Sequence, residues 1–172
     1  MKSRIAVIDN FLSSRDLINL TQVVSSSSFP WNLNVIVSNE CEYKKDNFMF
    51  NHIFFRDNPF EASEYFPLLL PITSQLKVSQ LYRVKSNFYS RTEQVLKHEW
   101  HTDREGDHLA AIFHINSNDG KTIIKDNEEI EVDSVQNRIV IFDGTLLHRS
   151  TTCTDGARVN LNFNFQSELD FF

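Results

Sequence analysis

Residues 98–103, HEWHTD, place two histidines, a glutamate and an aspartate within six positions. These are metal-ligand and proton-transfer groups, so the segment is a candidate metal site. The zinc-protease helix motif needs two histidines four residues apart, and His98 and His101 are three apart. His101 and Asp103 are two apart, so in an extended chain both side chains point to the same side. The pair therefore predicts two ligands for one ion, with a third from elsewhere in the chain.

The third ligand is expected among the remaining histidines, which are His52, His108, His114 and His148. Context favours His148, because it follows an apolar strand pattern (RIVIF) and the turn at Asp143-Gly144. Ten residues later, after a further turn, Arg158 opens another strand. His98 would point away from His101 in an extended segment, so we expect it behind the ligands or at the surface, with Trp100 packed beside the site.

Many short strands must position these groups. All four glycines lie after residue 105, and three of them follow an aspartate in turn sequences. Short runs rich in Ile, Val, Phe and Thr separate the turns. This pattern is typical of a sandwich or barrel. At 172 residues the chain is long enough for one domain with a core of its own.

The periodicity predicts two helices before a β-rich half. The first helix is capped by Ser13 or Ser14 and runs to about Ser25, with Leu17, Leu20, Val23 and Val24 as its apolar stripe. The second covers 60–77 and is interrupted or restarted around Pro67 and Pro71. Extended segments are expected at 4–9, 31–38, 48–55, 80–91, 108–116, 121–125, 128–132, 137–143 and 158–166.

The last strand, RVNLNFNFQ, has two distinct faces. Val159, Leu161, Phe163 and Phe165 alternate with Arg158, Asn160, Asn162 and Asn164. An antiparallel strand with one solvated face would show such alternation. One arginine followed by three asparagines, however, fits a polar cavity better than a mixed solvent face. We therefore expect the apolar face to pack under the helices and the Arg158 face to look into a barrel.

Several of these stretches together resemble the iron(II)- and 2-oxoglutarate-dependent oxygenases, in their prolyl-hydroxylase-like branch. They are WHTD, AAIFHINSNDGKT, RIVIFDGTLLH and RVNLNF, and more loosely VIDNFLS near the start. The resemblance implies a mainly β fold with flanking N-terminal helices, the double-stranded β-helix or jelly roll. It further implies one oxygenase domain over 1–172, with 1–78 as helical support and substrate-side strands and 79–172 as the jelly-roll core.

The resemblance also implies the ligands of the site. His101, Asp103 and His148 would hold Fe(II) on one face and leave three positions open, two for 2-oxoglutarate and one for O2. Decarboxylation of 2-oxoglutarate to succinate would accompany hydroxylation of a substrate. Arg158 would bind the distal carboxylate of 2-oxoglutarate, because a guanidinium offers a planar, permanently charged fork.

Three further residues are candidate contacts of 2-oxoglutarate. Asn87-Phe88-Tyr89 resembles the Asn-x-Tyr that precedes His-x-Asp in the nucleic-acid dealkylase branch, and Asn87 and Tyr89 share a strand face with Arg83. A sheet-edge pattern would look the same. His114, in FHIN, stands where the prolyl-hydroxylase branch has a tyrosine that binds the distal carboxylate. Either His114 hydrogen-bonds the cosubstrate or Tyr89 has taken that role.

Four functions remain open. The first is hydroxylation of a protein side chain, such as proline, or of a small molecule. Nucleic-acid dealkylation is disfavoured by the net charge of −6 and by Asn164, which stands where the dealkylase strand has a second arginine. A catalytically inert jelly-roll binding module would have no reason to keep His101, Asp103, His148 and Arg158 together. A zinc or iron hydrolase would not explain Arg158. Residues 29–58, with Trp31, His52 and Arg56, are expected to wall the substrate entrance.

The cellular setting is expected to be the reducing cytoplasm. Cys41 and Cys153 are too few and too isolated for a disulfide framework. No apolar run approaches the roughly 18 residues of a membrane span, and the first residues lack a signal-peptide core. The pattern leaves the oligomeric state open.

Overall fold

The computed structural model describes residues 4–35 and 48–172. The helical elements are α1 (Ser14–Val24), a 3-10 helix (Phe66–Leu69) and α2 (Leu70–Gln75). The strands are β1 (Ile5–Ile8), β2 (Asn32–Asn34), β3 (Met49–Asp57), β4 (Phe60–Ala62), β5 (Val78–Ser90), β6 (Leu109–His114), β7 (Lys121–Lys125), β8 (Glu129–Asp133), β9 (Ile139–Asp143), β10 (Leu147–Ser150) and β11 (Ala157–Ser167). In this part of the chain, no helix is long and apolar enough to span a membrane.

Two antiparallel sheets form the body of the domain. The larger sheet has the order β1-β9-β6-β11-β5-β3-β2, with β4 added beside β3. The smaller sheet has the order β10-β7-β8. A bridge between His101 and His148 joins β10 to the segment that follows β5, and two more bridges join that segment to Thr151 and Cys153, just after β10. The predicted mainly β jelly roll with N-terminal helices is confirmed.

Helix α1 covers the outer face of the larger sheet. The Ser13 hydroxyl accepts the backbone N–H of Asp16 and caps the helix, as predicted. Leu20 and Val24 are buried, and they belong to the same core cluster as Phe163 on the sheet. Burial of this apolar stripe fixes α1 on the sheet, because a short helix gains most of its stability from packing.

The two faces of β11 lie in two different environments. Leu161, Phe163 and Phe165 belong to the core between the sheet and the helices. The opposite face is also buried, and it carries Arg158, Asn160, Asn162 and Asn164 between the two sheets. The solvated-face alternative for this strand is therefore wrong, and the polar interior is confirmed.

Two local expectations need correction. Residues 60–77 are not one interrupted helix, because Phe60–Ala62 pair with Phe55–Asp57 of β3 as a strand. Helical structure begins only at Phe66 and ends at Gln75, before Lys77 adopts a positive φ of 46°. β10, which carries His148, was not predicted from the sequence. Its residues, LHRS, lack an apolar alternation and become a strand by pairing with β7.

Candidate metal centre and cosubstrate pocket

His101, Asp103 and His148 converge at one end of the jelly-roll interior. Backbone hydrogen bonds join the two histidines in both directions, at 3.0 Å and 2.9 Å. The Nε2 atom of His101 lies 3.9 Å from Asp103 Oδ1, and that of His148 lies 3.5 Å from Asp103 Oδ2. One ligand atom from each residue fits within 4.8 Å of the others. The structure thus brings together the three side chains that were predicted from the sequence as metal ligands.

Both imidazoles present an Nε2 lone pair to the centre of this cluster. His101 Nδ1 lies 3.1 Å from the Glu99 carbonyl, and His148 Nδ1 lies 3.3 Å from the Leu146 carbonyl. A carbonyl only accepts, so each Nδ1 carries the proton and leaves Nε2 free to bind a metal. Among the described residues, the buried His148 Nε2 has no hydrogen-bond partner. Burial and the neighbouring His148 lower the pKa of His101, which favours the neutral form that a metal requires.

Three side chains hold the Asp103 carboxylate. Arg83 Nη2 donates to Oδ1 at 2.6 Å, and the amides of Asn162 and Asn164 each donate to Oδ2 at 3.0 Å. Burial alone raises the pKa of Asp103, but the charge of Arg83 and the hydrogen bond from Asn164 outweigh burial and hold it well below its usual value. The carboxylate is therefore ionised and fixed in orientation. The sequence placed Arg83 and the asparagines on the interior but did not reveal this role, because it depends on pairing between distant strands.

Arg158 lies at the far end of the same interior and is fully buried. Its Nε donates to Ser134 Oγ at 3.0 Å, and its Nη2 donates to Thr122 Oγ1 at 2.9 Å. Its Nη1 is buried without a hydrogen-bond partner in the described part of the chain. Nor does any described carboxylate form an ion pair with this guanidinium. A buried cation in this state is stabilised by an anionic ligand, because its desolvation is otherwise uncompensated.

One polar cavity connects the metal ligands with Arg158. It is lined by Lys85, Asn87, Tyr89, His101, Ile112, Thr122, His148, Arg149, Ser150, Arg158, Asn160 and Asn162. Asn87 and Tyr89 therefore face the interior, as their shared face with Arg83 indicated, and the Asn87 amide donates to Asn160 Oδ1 at 3.1 Å. Their contact with 2-oxoglutarate stays a prediction. Lys85, Thr122, Ser134 and Arg149 were not singled out in the sequence.

A hydrogen-bonded chain orients Tyr89. Ser150 Oγ donates to Tyr89 Oη at 3.1 Å, and His98 Nδ1 lies 2.7 Å from Ser150 Oγ. With the Ser150 hydrogen engaged, His98 Nδ1 is the donor, and the Tyr89 hydrogen is directed elsewhere. His98 is buried against the Tyr89 ring, at 5.1 Å between centroids, so the surface alternative is wrong, and a place directly behind the metal ligands stays a prediction. Burial lowers the pKa of His98 to about 3, so it is neutral.

His114 is on the interior face beside Asn160 but is not part of the cavity lining. It is fully buried, and both ring nitrogens lack a hydrogen-bond partner among the described residues. Burial, with a further contribution from the charge of Arg158, lowers its pKa to about 3. A contact with 2-oxoglutarate stays a prediction for His114, and Tyr89 is the better placed of the two candidates.

His114 should make the metal-free protein sensitive to acid. Its pKa is about 3 when folded against 6.5 when unfolded, so below pH 6.5 the unfolded state binds the extra proton. The neutral form stabilises the fold above pH 6.5, and this contribution is lost as the pH falls toward 3. Between about pH 7 and pH 5 the loss is about 2 kcal/mol. Urea unfolding of His114→Gln should show a pH dependence smaller by that amount. Equal losses in both proteins would contradict the assignment.

The predicted substrate entrance is wrong at two of its three named residues. Trp31 donates from Nε1 to the Val24 carbonyl and packs with the helix-side core. His52 lies between the Pro30 carbonyl and Ser63 Oγ, at 3.1 Å and 2.9 Å, on that same outer side. His52 is at a β3 position that alternates away from the interior, opposite Ser86. Trp31 precedes β2 and is held on the same side by its bond to Val24 of α1. Of the remaining residues in the range, 36–47 lie outside the described part.

The other two predictions have different outcomes. Arg56 pairs in register with Arg83, but its guanidinium donates to Glu61 Oε2 at 2.6 Å, so its place at a substrate entrance stays a prediction. Trp100 packs against the Arg149 guanidinium, 4.0 Å from its ring centroid, and Arg149 lines the cavity. Trp100 therefore lies beside the site, as predicted.

Gly120 leaves space for the Arg158 side chain because it has no Cβ atom. A Cβ atom at this position would lie 2.6 Å from Arg158 Cδ and 2.7 Å from the Thr152 carbonyl oxygen. We expect Gly120→Ala to destabilise the protein by about 1–3 kcal/mol, measured by urea unfolding, because a side chain and backbone must both move. Gly156→Ala shows the cost of backbone strain without a clash, since its added Cβ meets no described atom within 4 Å but its φ of 65° is disfavoured for alanine. A Gly120→Ala protein as stable as the wild type would contradict the packing.

The comparisons with known proteins agree on this architecture. The sequence matches no protein-family model and no curated protein. The fold is similar to an oxidoreductase of the 2OG-Fe(II) oxygenase family from Burkholderia pseudomallei, with a TM-score of 0.72, 8% identity, and coverage of 95% of this chain and 85% of that one. It is also similar to a Pseudomonas putida prolyl-4-hydroxylase, with a TM-score of 0.59, 14% identity, and coverage of 96% and 94%. At these identities the likeness establishes the fold, and the resemblance seen in the sequence is confirmed at that level.

A third similar structure holds a peptide. It is a prolyl hydroxylase from Trichoplax adhaerens in complex with a hypoxia inducible factor oxygen degradation domain peptide fragment. The TM-score is 0.62 at 13% identity, and the match covers 95% of this chain and 84% of that one. The jelly roll described here is therefore shared with structures of 2-oxoglutarate oxygenases over nearly its whole length.

Proposed function

We propose that this protein is an Fe(II)- and 2-oxoglutarate-dependent dioxygenase that hydroxylates a protein side chain or a small molecule. The single observation that carries the proposal is the shared cavity. It has a histidine-aspartate-histidine cluster at one end and, at the other, a buried guanidinium that no carboxylate of the described residues pairs with. 2-Oxoglutarate has the matching form, with a metal-binding 2-oxo acid at one end and a carboxylate at the other.

The donor set fits Fe(II). Two imidazoles and one carboxylate suit a divalent iron and would leave it positions for further ligands. His101, Asp103 and His148 would hold the metal, and Arg83 with the two asparagines fixes the carboxylate among them. When bound, Fe(II) with 2-oxoglutarate and O2 supplies the oxidising chemistry that no side chain can supply.

The remaining residues bind and orient the cosubstrate. Arg158, held by Ser134 and Thr122, is aligned for the distal carboxylate, and its free Nη1 offers an additional donor. Tyr89 can add its hydroxyl hydrogen, because Ser150 already donates to its oxygen. Ile112 in the lining and the neighbouring buried Phe142 keep this part of the interior apolar and limit water.

The alternatives fit less well. An inert binding module has no need for an ionised Asp103 carboxylate clustered with two imidazoles. Against nucleic-acid dealkylation, Asn164 is buried and committed to Asp103, and the net charge is −6. The similar structures include a prolyl hydroxylase with a bound peptide and an epimerase from nogalamycin biosynthesis. The proposal therefore includes both a peptide and a small molecule as the substrate. It also includes a cytoplasmic location for the protein.

The test is succinate formation. Protein is mixed with Fe(II) and 2-oxoglutarate without O2, O2 is admitted, and succinate is measured over time. We expect slow formation even without a substrate, and none above background from the Asp103→Ala variant. Succinate at the level of that variant, combined with an absence of 2-oxoglutarate binding, would favour the inert module.

A further inference from the structure

Lys85 is a cation in the cavity to which the proposed function assigns no role. It is on the interior face of β5 between Arg83 and Asn87, since residues two apart in a strand share a face. Its side chain lines the cavity that also contains His148 and Arg158. Among the described residues, it forms neither an ion pair nor a hydrogen bond. A lysine placed inside a domain normally has an anionic partner.

The position of Lys85 is at the metal end of the cavity. Its register partner on β11 is Asn162, which donates to Asp103, and the preceding interior residue, Arg83, binds Asp103 as well. Burial lowers the pKa of Lys85, and the charge of Arg83 adds to this, whereas Asp103 acts in the opposite direction. Because Arg83 already neutralises Asp103, the Lys85 charge is left without a counterpart among residues 4–35 and 48–172.

Resting on the proposed function, we propose that Lys85 binds the carboxylate of 2-oxoglutarate that is next to the keto group. The two cations of the cavity then serve the two ends of one dianion, Lys85 at the metal end and Arg158 at the far end. Lys85 is only partly exposed, and without an anion between them its ammonium and a divalent metal in this cavity would repel each other. Lys85 is therefore a positioning residue for the 2-oxo acid group.

Two ligands separate the roles of the two cations. 2-Oxoglutarate has both carboxylates, and 2-oxopentanoate keeps the 2-oxo acid group but ends in a methyl. Each is titrated without O2 into Fe(II)-loaded protein, and binding is measured from the metal-to-ligand absorption band, without turnover. Lys85→Met should weaken both ligands by a similar factor of about tenfold or more. Arg158→Met should weaken 2-oxoglutarate alone, and Lys85→Arg should restore part of the affinity that Lys85→Met loses.

Lys77→Met is the matched control, because it removes the same charge from an exposed lysine just before β5. It should bind both ligands as the wild type does. If Lys85→Met retains wild-type affinity while Arg158→Met loses 2-oxoglutarate, the proposal for Lys85 is overturned and the proposed function stands. If the wild type binds neither ligand, the proposed function fails, and the role of Lys85 fails with it.

Discussion

His148→Ala is expected to lose Fe(II) binding, with an affinity at least about 100-fold below that of the wild type. The His148 imidazole is buried, its Nδ1 is oriented by the Leu146 carbonyl, and its Nε2 faces Asp103. Alanine removes one of the three ligands and leaves no described side chain to replace it. Fe(II) binding to metal-free protein, measured by anaerobic calorimetry, is the direct readout.

His108→Gln is the control for this variant. His108 is also buried, and its Nδ1 lies 2.8 Å from the Gly106 carbonyl, but it is not part of the metal cluster. It should bind Fe(II) as the wild type does. Thermal unfolding of both metal-free variants shows whether each is folded. A folded His148→Ala protein with unchanged Fe(II) affinity would rule out His148 as a ligand.

Arg158→Ala is expected to keep Fe(II) and to weaken 2-oxoglutarate by about 2–5 kcal/mol, as for a buried charge pair that loses one partner. Fe(II) binding should be unaffected because Arg158 is hydrogen-bonded to Ser134 and Thr122 and makes no contact with the metal ligands. The loss should appear in the 2-oxoglutarate dissociation constant measured without O2.

A control for removing an arginine is Arg138→Ala. Arg138 pairs with Asp9 near the surface, at 2.6 Å and 2.9 Å, away from the cavity. Its 2-oxoglutarate affinity should match that of the wild type. Equal affinity in the Arg158→Ala protein would refute the assignment of Arg158 to the distal carboxylate.

The sequence predicted the metal cluster because its elements are short-range patterns. His101 and Asp103 are two residues apart, and the alternation in β11 showed Arg158 and the asparagines on one face. Adding His148 needed the order of motifs and the resemblance to a family. Local propensity did not reveal β10, since its pairing with β7 makes it a strand.

The residues whose positions were predicted wrongly are those fixed by packing between distant segments. Trp31 and His52 are polar-tipped aromatics that a substrate entrance could use, but each satisfies its ring nitrogens on the helix side of the sheet. Phe60–Ala62 became a strand because β3 offered an edge for pairing. The partners of Asp103 and the place of Lys85 in the cavity follow from the register of β5 and β11, which no short motif encodes.

The central claim is that the three clustered side chains hold one Fe(II) with positions open for 2-oxoglutarate. Its most direct test is an anaerobic titration of metal-free protein, first with Fe(II) and then with 2-oxoglutarate, followed by absorption spectroscopy. We predict one Fe(II) per chain and a metal-to-ligand band that appears only when both are present and is absent in Asp103→Ala. Saturating Fe(II) and 2-oxoglutarate that give no band in the folded wild-type protein would contradict the account.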